Sequence, residues 1–379
     1  MITWSKKYSN GAWVVDDYVT AKAILASDQF SVQRAGRWLN TSANDGLEDD
    51  LRIFKSLLRQ SVVFLDGSKH QKIRSLLIQK IKHAMSNEFQ GKLDAIVLDA
   101  IEQLQNKPSN LISDLAKIVP ARSIAYLIGI DPNNEEVFRW SDAIADFLGA
   151  PIENGQLALQ AQNAVSEMAQ YFESSISRGN YVCNDRRIMD ELLEEFPQDQ
   201  LRSRQVLLAQ LCTLLFGGYE TTRNLIGNAI SLLLLNESQY DLLKNQPELI
   251  DDCINEVLRL ESPVQYTGRL VRSKISFGDV TFKAGDLVVV EIGAANRDPS
   301  IYEDPNSFDI ARKFIPHLAF GFGPHYCLGA ILSLMECRAV LRNLIKTNIQ
   351  LNSPPIWSSN TLYRGLDELS VTVMRQALR

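Results

Sequence analysis

The sequence predicts a mainly α protein with small β-sheets, and three observations carry that expectation. Apolar residues recur at spacings of three and four over most of the chain, strand-like runs are few and short, and one long apolar segment crosses the middle with only a brief polar centre. The helical pattern covers Gln71 to Met85, Glu88 to Leu104, Ile112 to Ile128, Glu135 to Leu148, Gln156 to Ile176 and Leu249 to Leu260. Asp131-Pro132-Asn133-Asn134 stops one helix and starts the next. Strands are expected at Trp13 to Val15 and within Lys274 to Glu291, where Gly278-Asp279 and Gly285-Asp286 supply turns. A last pair is expected near Leu362 and Leu369 to Met374. Between Arg34 and Leu65 the periodicity is weak and the charge mixed, which predicts a long covering loop with a short helix.

The 379 residues are 45% hydrophobic and 22% charged, enough apolar side chain for a sizeable core. With no internal repeat and no Gly/Ser-rich linker, residues 1–379 read as a single domain. A formal charge of -6 implies no general affinity for nucleic acid. Five scattered cysteines form no CxxC pair, so a disulfide scaffold and a zinc ribbon lose support, and a reducing cytoplasm is the expected setting. Around Gly217-Gly218-Tyr219-Glu220-Thr221-Thr222-Arg223, the uncharged flanks Val206 to Tyr219 and Asn224 to Asn236 are each too short to span a membrane. A buried central helix over residues 205–236, and no membrane anchor, are expected.

The segment richest in chemistry is Phe320-Gly321-Phe322-Gly323-Pro324-His325-Tyr326-Cys327-Leu328-Gly329-Ala330. It reads as a tight loop presenting one cysteine at the start of a helix, residues 320–346 together. A helix N-terminus favours thiolate over thiol, and glycines leave room for a flat ligand against the backbone. A lone cysteine is commonly a small buried hydrophobe; the glycine frame and Phe320 argue against that here. A dinucleotide loop lacks its third glycine at the right distance, and a zinc site from His317, His325, Cys327 and Cys337 matches no usual spacing.

The pattern Phe320-x-x-Gly323-x-x-x-Cys327-x-Gly329 resembles the haem-binding loop of the cytochrome P450 family. Three more segments stand in the family's order: Gly217 to Thr222 is similar to its oxygen-activation segment, Glu256-Val257-Leu258-Arg259 to its ExxR helix, and Phe308 to Arg312 to the arginine segment before the cysteine loop. The resemblance runs from about Trp13 to Val373, with an amino end shorter than in typical bacterial members.

That resemblance implies a soluble bacterial-type haem-thiolate monooxygenase whose haem b (iron protoporphyrin IX) lies between the central helix and the cysteine-loop helix. Cys327 is then the iron ligand, donating electron density that favours O–O cleavage. Thr221 is expected to offer its hydroxyl to the dioxygen being cleaved, with Glu220 beside it supplying protons through water. Gly217-Gly218 costs on the order of 1 kcal/mol per glycine in a helix interior, which is explained either by close helix packing or by a bulge at the oxygen site. Glu256 and Arg259 read alone as a surface ion pair; the resemblance makes them a structural network with Arg312. His70 and Arg74, four apart on one helical face, together with Arg269 and His325, are the implied cationic contacts to the haem propionates. Gly217, Phe320, Gly323 and Gly329 complete the implied cofactor set, and His83 and His317 are left as surface or packing residues.

The substrate pocket implied by the family takes the Arg34 to Leu65 loop, Thr213, Phe216, Gly217, Val264, Gln265, Tyr266, Leu362 and Tyr363. Its substrate is expected to be a small organic molecule of secondary metabolism, free or tethered to a carrier protein, hydroxylated or epoxidised; oxidative coupling, cyclisation or desaturation stays open, as does a non-enzymatic gas sensor. Electrons are expected from a ferredoxin and its reductase, docking near Lys69, Lys72, Lys80, Lys82, Arg338 and Arg342 or leaving these as a solvated basic face.

Overall fold

The computed structural model describes residues 1–6, 11–34, 51–104, 107–150, 154–178, 187–196, 201–313 and 316–374. Helices dominate it, as the apolar spacing predicts, and the expected bounds hold to within a few residues: Gly67–Ala84, Asn87–Leu104, Glu136–Leu148, Gly155–Arg178 and Ile250–Leu260. The stretch from Ile112 opens with a π-helical turn, Ile112–Ala116, before the α-helix Ile118–Ile128. Gly129 ends that helix in the left-handed region at φ 99°, the C-terminal position where glycine carries no Cβ penalty. The central helix is Leu201–Leu235, all but its first turns and its Gly217 face sunk among apolar neighbours.

The largest sheet has five strands in the order Ile2–Ser5, Ala12–Val15, Leu287–Glu291, Tyr266–Val271 and Phe30–Ser31. Its only parallel pair among the described residues sets Trp13 opposite Val288; the rest are antiparallel. The strand Tyr266–Val271 continues the extended residues from 264, so that Val264 and Tyr266 face one way and Gln265 the other. The expected pairing of Leu362 with Leu369 to Met374 does not form. Ser370–Met374 instead sits between Asn348–Leu351 and Pro108–Asn110, and Leu362 is held only beside an isolated bridge of Val264 to Tyr363. The two partner strands of Ser370–Met374, of four and three residues, are too short for alternation to reveal them.

Within Arg34 to Leu65, the described part holds the helix Arg52–Gln60 and the 3-10 turn Val62–Phe64; residues 35–50 of that expected loop lie outside the described residues. One apolar cluster draws on residues from Leu51 to Val373 and surrounds the central helix. A second, between the five-stranded sheet and the helix Tyr18–Ala26, includes Val15, Phe282, Val290 and Leu318. No helix among the described residues is long and apolar enough to cross a membrane.

Candidate functional site

The cysteine loop is closed by its own backbone. Cys327 N–H donates to Phe320 O at 2.8 Å, and Gly321 N–H to Leu318 O at 2.8 Å. Gly321 and Gly323 sit at φ 71° and 75°, and a Cβ on Gly323 would stand 2.8 Å from Ala26 Cα, so this turn tolerates no side chain. Gly329 caps the helix Ala330–Leu344, whose first amides, of Gly329 and Ala330, point at the Cys327 sulfur. Those amides and Arg74 lower the thiol pKa as expected of a helix N-terminus, yet burial is larger and leaves the thiol above its ordinary value. Burial thus opposes the thiolate that the amides favour, and a metal cation bound at the sulfur would favour it.

Beside the loop the four expected cationic residues converge. The His70 and His325 rings lie 4.0 Å apart, Arg74 donates to Tyr326 O, and Arg269 is 5% exposed on the strand Tyr266–Val271. In two of the four the positive form is disfavoured. Burial, with His70 and the nearby arginines, drives His325 down to about 3, and burial with Arg74 lowers His70. The imidazoles can act as hydrogen-bond partners beside the two guanidiniums. Arg34 adds a further buried guanidinium, with Nη2 3.3 Å from Thr267 Oγ1; burial and Arg269 push its pKa down to about 9. Asp66 Oδ2 takes Arg272 at 2.6 Å, and Asp66 Oδ1 lies 3.7 Å from His325 Nε2.

On the central helix Glu220 is buried and Thr221 follows it. Arg223 Nη1 donates to Glu220 Oε2 at 3.3 Å and Asn224 Nδ2 to Oε1 at 3.0 Å. Burial raises the Glu220 pKa to about 7, against the lowering pull of Arg223. Thr221 Oγ1 donates to Gly217 O at 3.0 Å, which turns its oxygen lone pairs outward as an acceptor. The bulge, one of the two explanations offered for the glycine pair, is absent, for the helix runs unbroken through both glycines. A Cβ on Gly218 would meet Ile124 at 2.8 Å, which is packing, whereas a Cβ on Gly217 meets nothing within 4 Å.

The pocket residues assemble in part. Leu362, Tyr363, Phe216, Val264 and Tyr266 join one apolar cluster with Ala145, and the Phe216 and Tyr363 rings meet edge to face at 6.0 Å. Thr213 Oγ1 meets Ser61 Oγ at 2.8 Å, tying the Arg34 to Leu65 region to the central helix. Gln265 turns away: its amide donates to Ser262 O at 2.6 Å and abuts Gly293, so strand alternation removes it from the pocket wall.

Glu256 and Arg259 are not a surface pair. Arg259 is 2% exposed and donates twice to Glu256, at 2.7 and 2.8 Å, while Arg312 Nε reaches Glu256 Oε1 at 3.1 Å. Arg259 also holds Asn296 O at 3.1 Å, and the Asn296 side chain takes Leu318 N–H at 2.8 Å at the foot of the cysteine loop. His317 packs beside it, half-buried, its pKa lowered to about 4 by desolvation and Arg259. His83 meets Glu191.

Several members of this site escape sequence reasoning. Arg34 lies three residues past the strand Phe30–Ser31 with no motif around it, and Asp142 lies 78 positions before Glu220 on another helix, Arg223 Nη1 reaching it at 2.8 Å. Arg223 itself was within reach, three residues after Glu220 on one face. Glu336, fully buried on the cysteine helix, accepts from Ser123 Oγ and lies within hydrogen-bonding reach of Thr222. It joins the cysteine helix to the residue after Thr221.

These residues fit a haem. Cys327 offers a soft sulfur ligand under two amides, His70 Nε2 is buried with no partner among the described residues, the Arg74 and Arg269 guanidiniums near the His70–His325 pair could pair with anionic propionates, and Gly217 leaves open space on the central helix. The Cytochrome P450 family model matches residues 23–348. Cytochrome P450 107B1 of Saccharopolyspora erythraea is 33% identical over 81% of this chain and 75% of its own, and the biotin biosynthesis cytochrome P450 of Bacillus subtilis is 31% identical over 95% and 90%. A solved structure of P450BioI in complex with a hexadec-9Z-enoic acid ligated acyl carrier protein superposes with a TM-score of 0.84, at 28% identity over 96% of this chain and 92% of that one. Matched by the family model over most of its length and sharing fold and sequence with these members, the chain belongs to the cytochrome P450 family of haem-dependent monooxygenases.

Proposed function

We propose that the chain is a single cytoplasmic domain that inserts one oxygen atom into a small organic molecule of secondary metabolism, by hydroxylation or epoxidation. Haem b is held on Cys327, with Arg74, Arg269, His70 and His325 on its propionates and Phe320, Gly323 and Gly329 shaping its bed. When bound, the haem supplies electron transfer and O–O cleavage, which a thiolate ligand favours. The balance is R–H + O2 + two electrons + two protons giving R–OH + water, so the chain must deliver two protons per turnover. Glu220 is the acid that does so and Thr221 the acceptor that orients the oxygen end. The observation that carries this reading is a carboxyl held near neutrality, about 7, one residue before that hydroxyl. Glu256, Arg259 and Arg312 act as scaffold.

A ferredoxin and its reductase supply the electrons, supported by exposed Lys69, Lys72 and Lys82 on the His70 helix and Arg342 on the cysteine helix. Lys80 leaves that face, since it is buried between Glu191 and Glu195, each 3.4 Å away. Likeness to a structure with an acyl carrier protein favours a carrier-tethered substrate as a second form of this reading.

Ligands are screened by their shift of the ferric iron from low to high spin, and hits are turned over under isotopically labelled dioxygen. One labelled atom per product is expected. A new bond with no label would replace insertion by oxidative coupling, and hits that turn over only on a carrier would establish the tethered form. Cys327→His is expected to lose the red-shifted Soret band of the ferrous carbon monoxide complex; its retention defeats the cysteine assignment.

A further inference from the structure

His317 stands on the stretch that leads into the cysteine loop, and both of its ring nitrogens are engaged. Ala319 N–H donates to Nδ1 at 3.2 Å, so Nδ1 carries no proton and the ring proton sits on Nε2. That nitrogen faces Asn255 Oδ1 at 3.3 Å, as a donor to it. The ring is one fixed tautomer stretched between the helix Ile250–Leu260 and the loop, and burial with Arg259 keeps it neutral. The first bond has a local logic. A side chain that accepts from the amide two residues on closes the turn that Asn and Asp close. Here it fixes Ala319 beside Leu318, whose N–H is taken by Asn296 Oδ1 and whose carbonyl accepts from Gly321 N–H, each at 2.8 Å. The next residue, Phe320, presents its carbonyl to Cys327 N–H at 2.8 Å. The centre of its ring lies 5.8 Å from that of His317 and 6.1 Å from that of Tyr326, whose own carbonyl accepts from Arg74. Two paths, one of amides and one of rings, run from His317 to the residue that carries the sulfur.

We propose that His317 is a positioning residue for Cys327: Nδ1 pins the Ala319 amide, the Nε2 proton ties the ring to Asn255, and Phe320 O is thereby held where the Cys327 amide meets it. The inference rests on the reading of Cys327 as the iron ligand. It is separate from the network of Glu256, Arg259 and Arg312, which reaches the loop through Asn296 and Leu318. With Cys327 N–H spent on Phe320 O, the amides of Gly329 and Ala330 are the ones directed at the sulfur. A loop slackened at Ala319 would release the Cys327 amide and change that set. Hydrogen bonds around a ligating sulfur govern how firmly it stays a thiolate and how much electron density it gives. A ring that merely filled space would be indifferent to which of its nitrogens accepts, and Leu could replace it.

The haem-loaded protein is reduced under carbon monoxide, a diamagnetic state, with its four histidines labelled with nitrogen-15. The His317 signal, assigned by its loss in His317→Asn, is expected to show the proton on Nε2; a proton on Nδ1 overturns the proposal. The Soret band of the same complex is then followed in guanidinium chloride too dilute to unfold the protein. His317→Leu and His317→Gln, which lack an acceptor at the Nδ1 position, are expected to lose the red-shifted band to the unshifted one at least about tenfold faster than wild type, as removal of a ligand-orienting partner does. His317→Asn closes the same turn on Ala319 with a side chain too short to need the tie to Asn255, and is expected to stay within about twofold of the wild-type rate. Wild-type persistence of the band in His317→Leu and His317→Gln overturns the brace, and so does a His317→Asn variant as fast as they are. Should His317→Leu take up no haem, the contrast of Gln with Asn decides the question alone. Failure of the cysteine reading looks different: the wild-type complex itself shows no red-shifted band, whatever the tautomer of His317.

Discussion

Glu336 has no exposed surface, and burial lifts its pKa from 4.5 to about 8. With its pKa above neutrality it is held as a neutral acid that accepts from Ser123 and lies near Thr222, so the cysteine helix packs against its neighbours without a buried charge. The folded state keeps this proton where the unfolded chain has released it. Stability is therefore full below about 4.5 and falls as pH rises toward 8, by roughly 1.4 kcal/mol per pH unit. Glu336→Gln carries no such proton; its melting temperature is expected at or below wild type at pH 5 and above it at pH 9. Parallel melting curves across that range would contradict a neutral Glu336. Nothing in the sequence marks this residue, because a glutamate on a helix with mixed neighbours reads as solvated until the packing of a second helix is known. Cys327, Thr221 and Glu256 were legible for the opposite reason, each lying inside a short motif whose spacing is itself the signal.

The elements differ in how much of themselves the sequence discloses. Long helices announce themselves by periodicity, and the chain's amphipathic helices stand close to their expected bounds. The short strands 266–271, 348–351 and 108–110 exist only as partners of other strands, so neither composition nor alternation reveals them. The cysteine loop lies between these cases, its glycines visible and their reasons tertiary. Gly323→Ala must strain φ 75° and displace the backbone of Ala26, a cost of about 1–3 kcal/mol. It is expected to lower both the melting temperature and the haem content of the purified protein. Gly217→Ala gains helix propensity and meets no atom, so it should leave the melting temperature unreduced while weakening the spin shift of bulky ligands. Equal haem loss in the two variants would show that loop geometry is not what Gly323 serves.

Across the whole molecule, a net charge of -6 conceals a local basic face. Lys72 on the His70 helix and Arg342 on the cysteine helix are exposed on elements that meet at the loop, whereas Arg338 is tied to Asp251 at 2.6 Å. Lys72→Glu with Arg342→Glu is expected to slow reduction by an acidic ferredoxin at least about tenfold and to flatten its salt dependence, since exposed charges steer encounter and are screened by salt. An unchanged salt slope would place the electron donor elsewhere. The sequence by itself determined the helical class and the family and singled out the cysteine proposed as the iron ligand, because periodicity and motif spacing are local properties of a chain. Only the tertiary structure decided in which histidines the positive form is disfavoured, that Gln265 turns from the pocket, and that Arg223 joins Glu220 to Asp142. Each depends on burial and on partners brought from distant segments, and the free energy of a charge is set by what surrounds it.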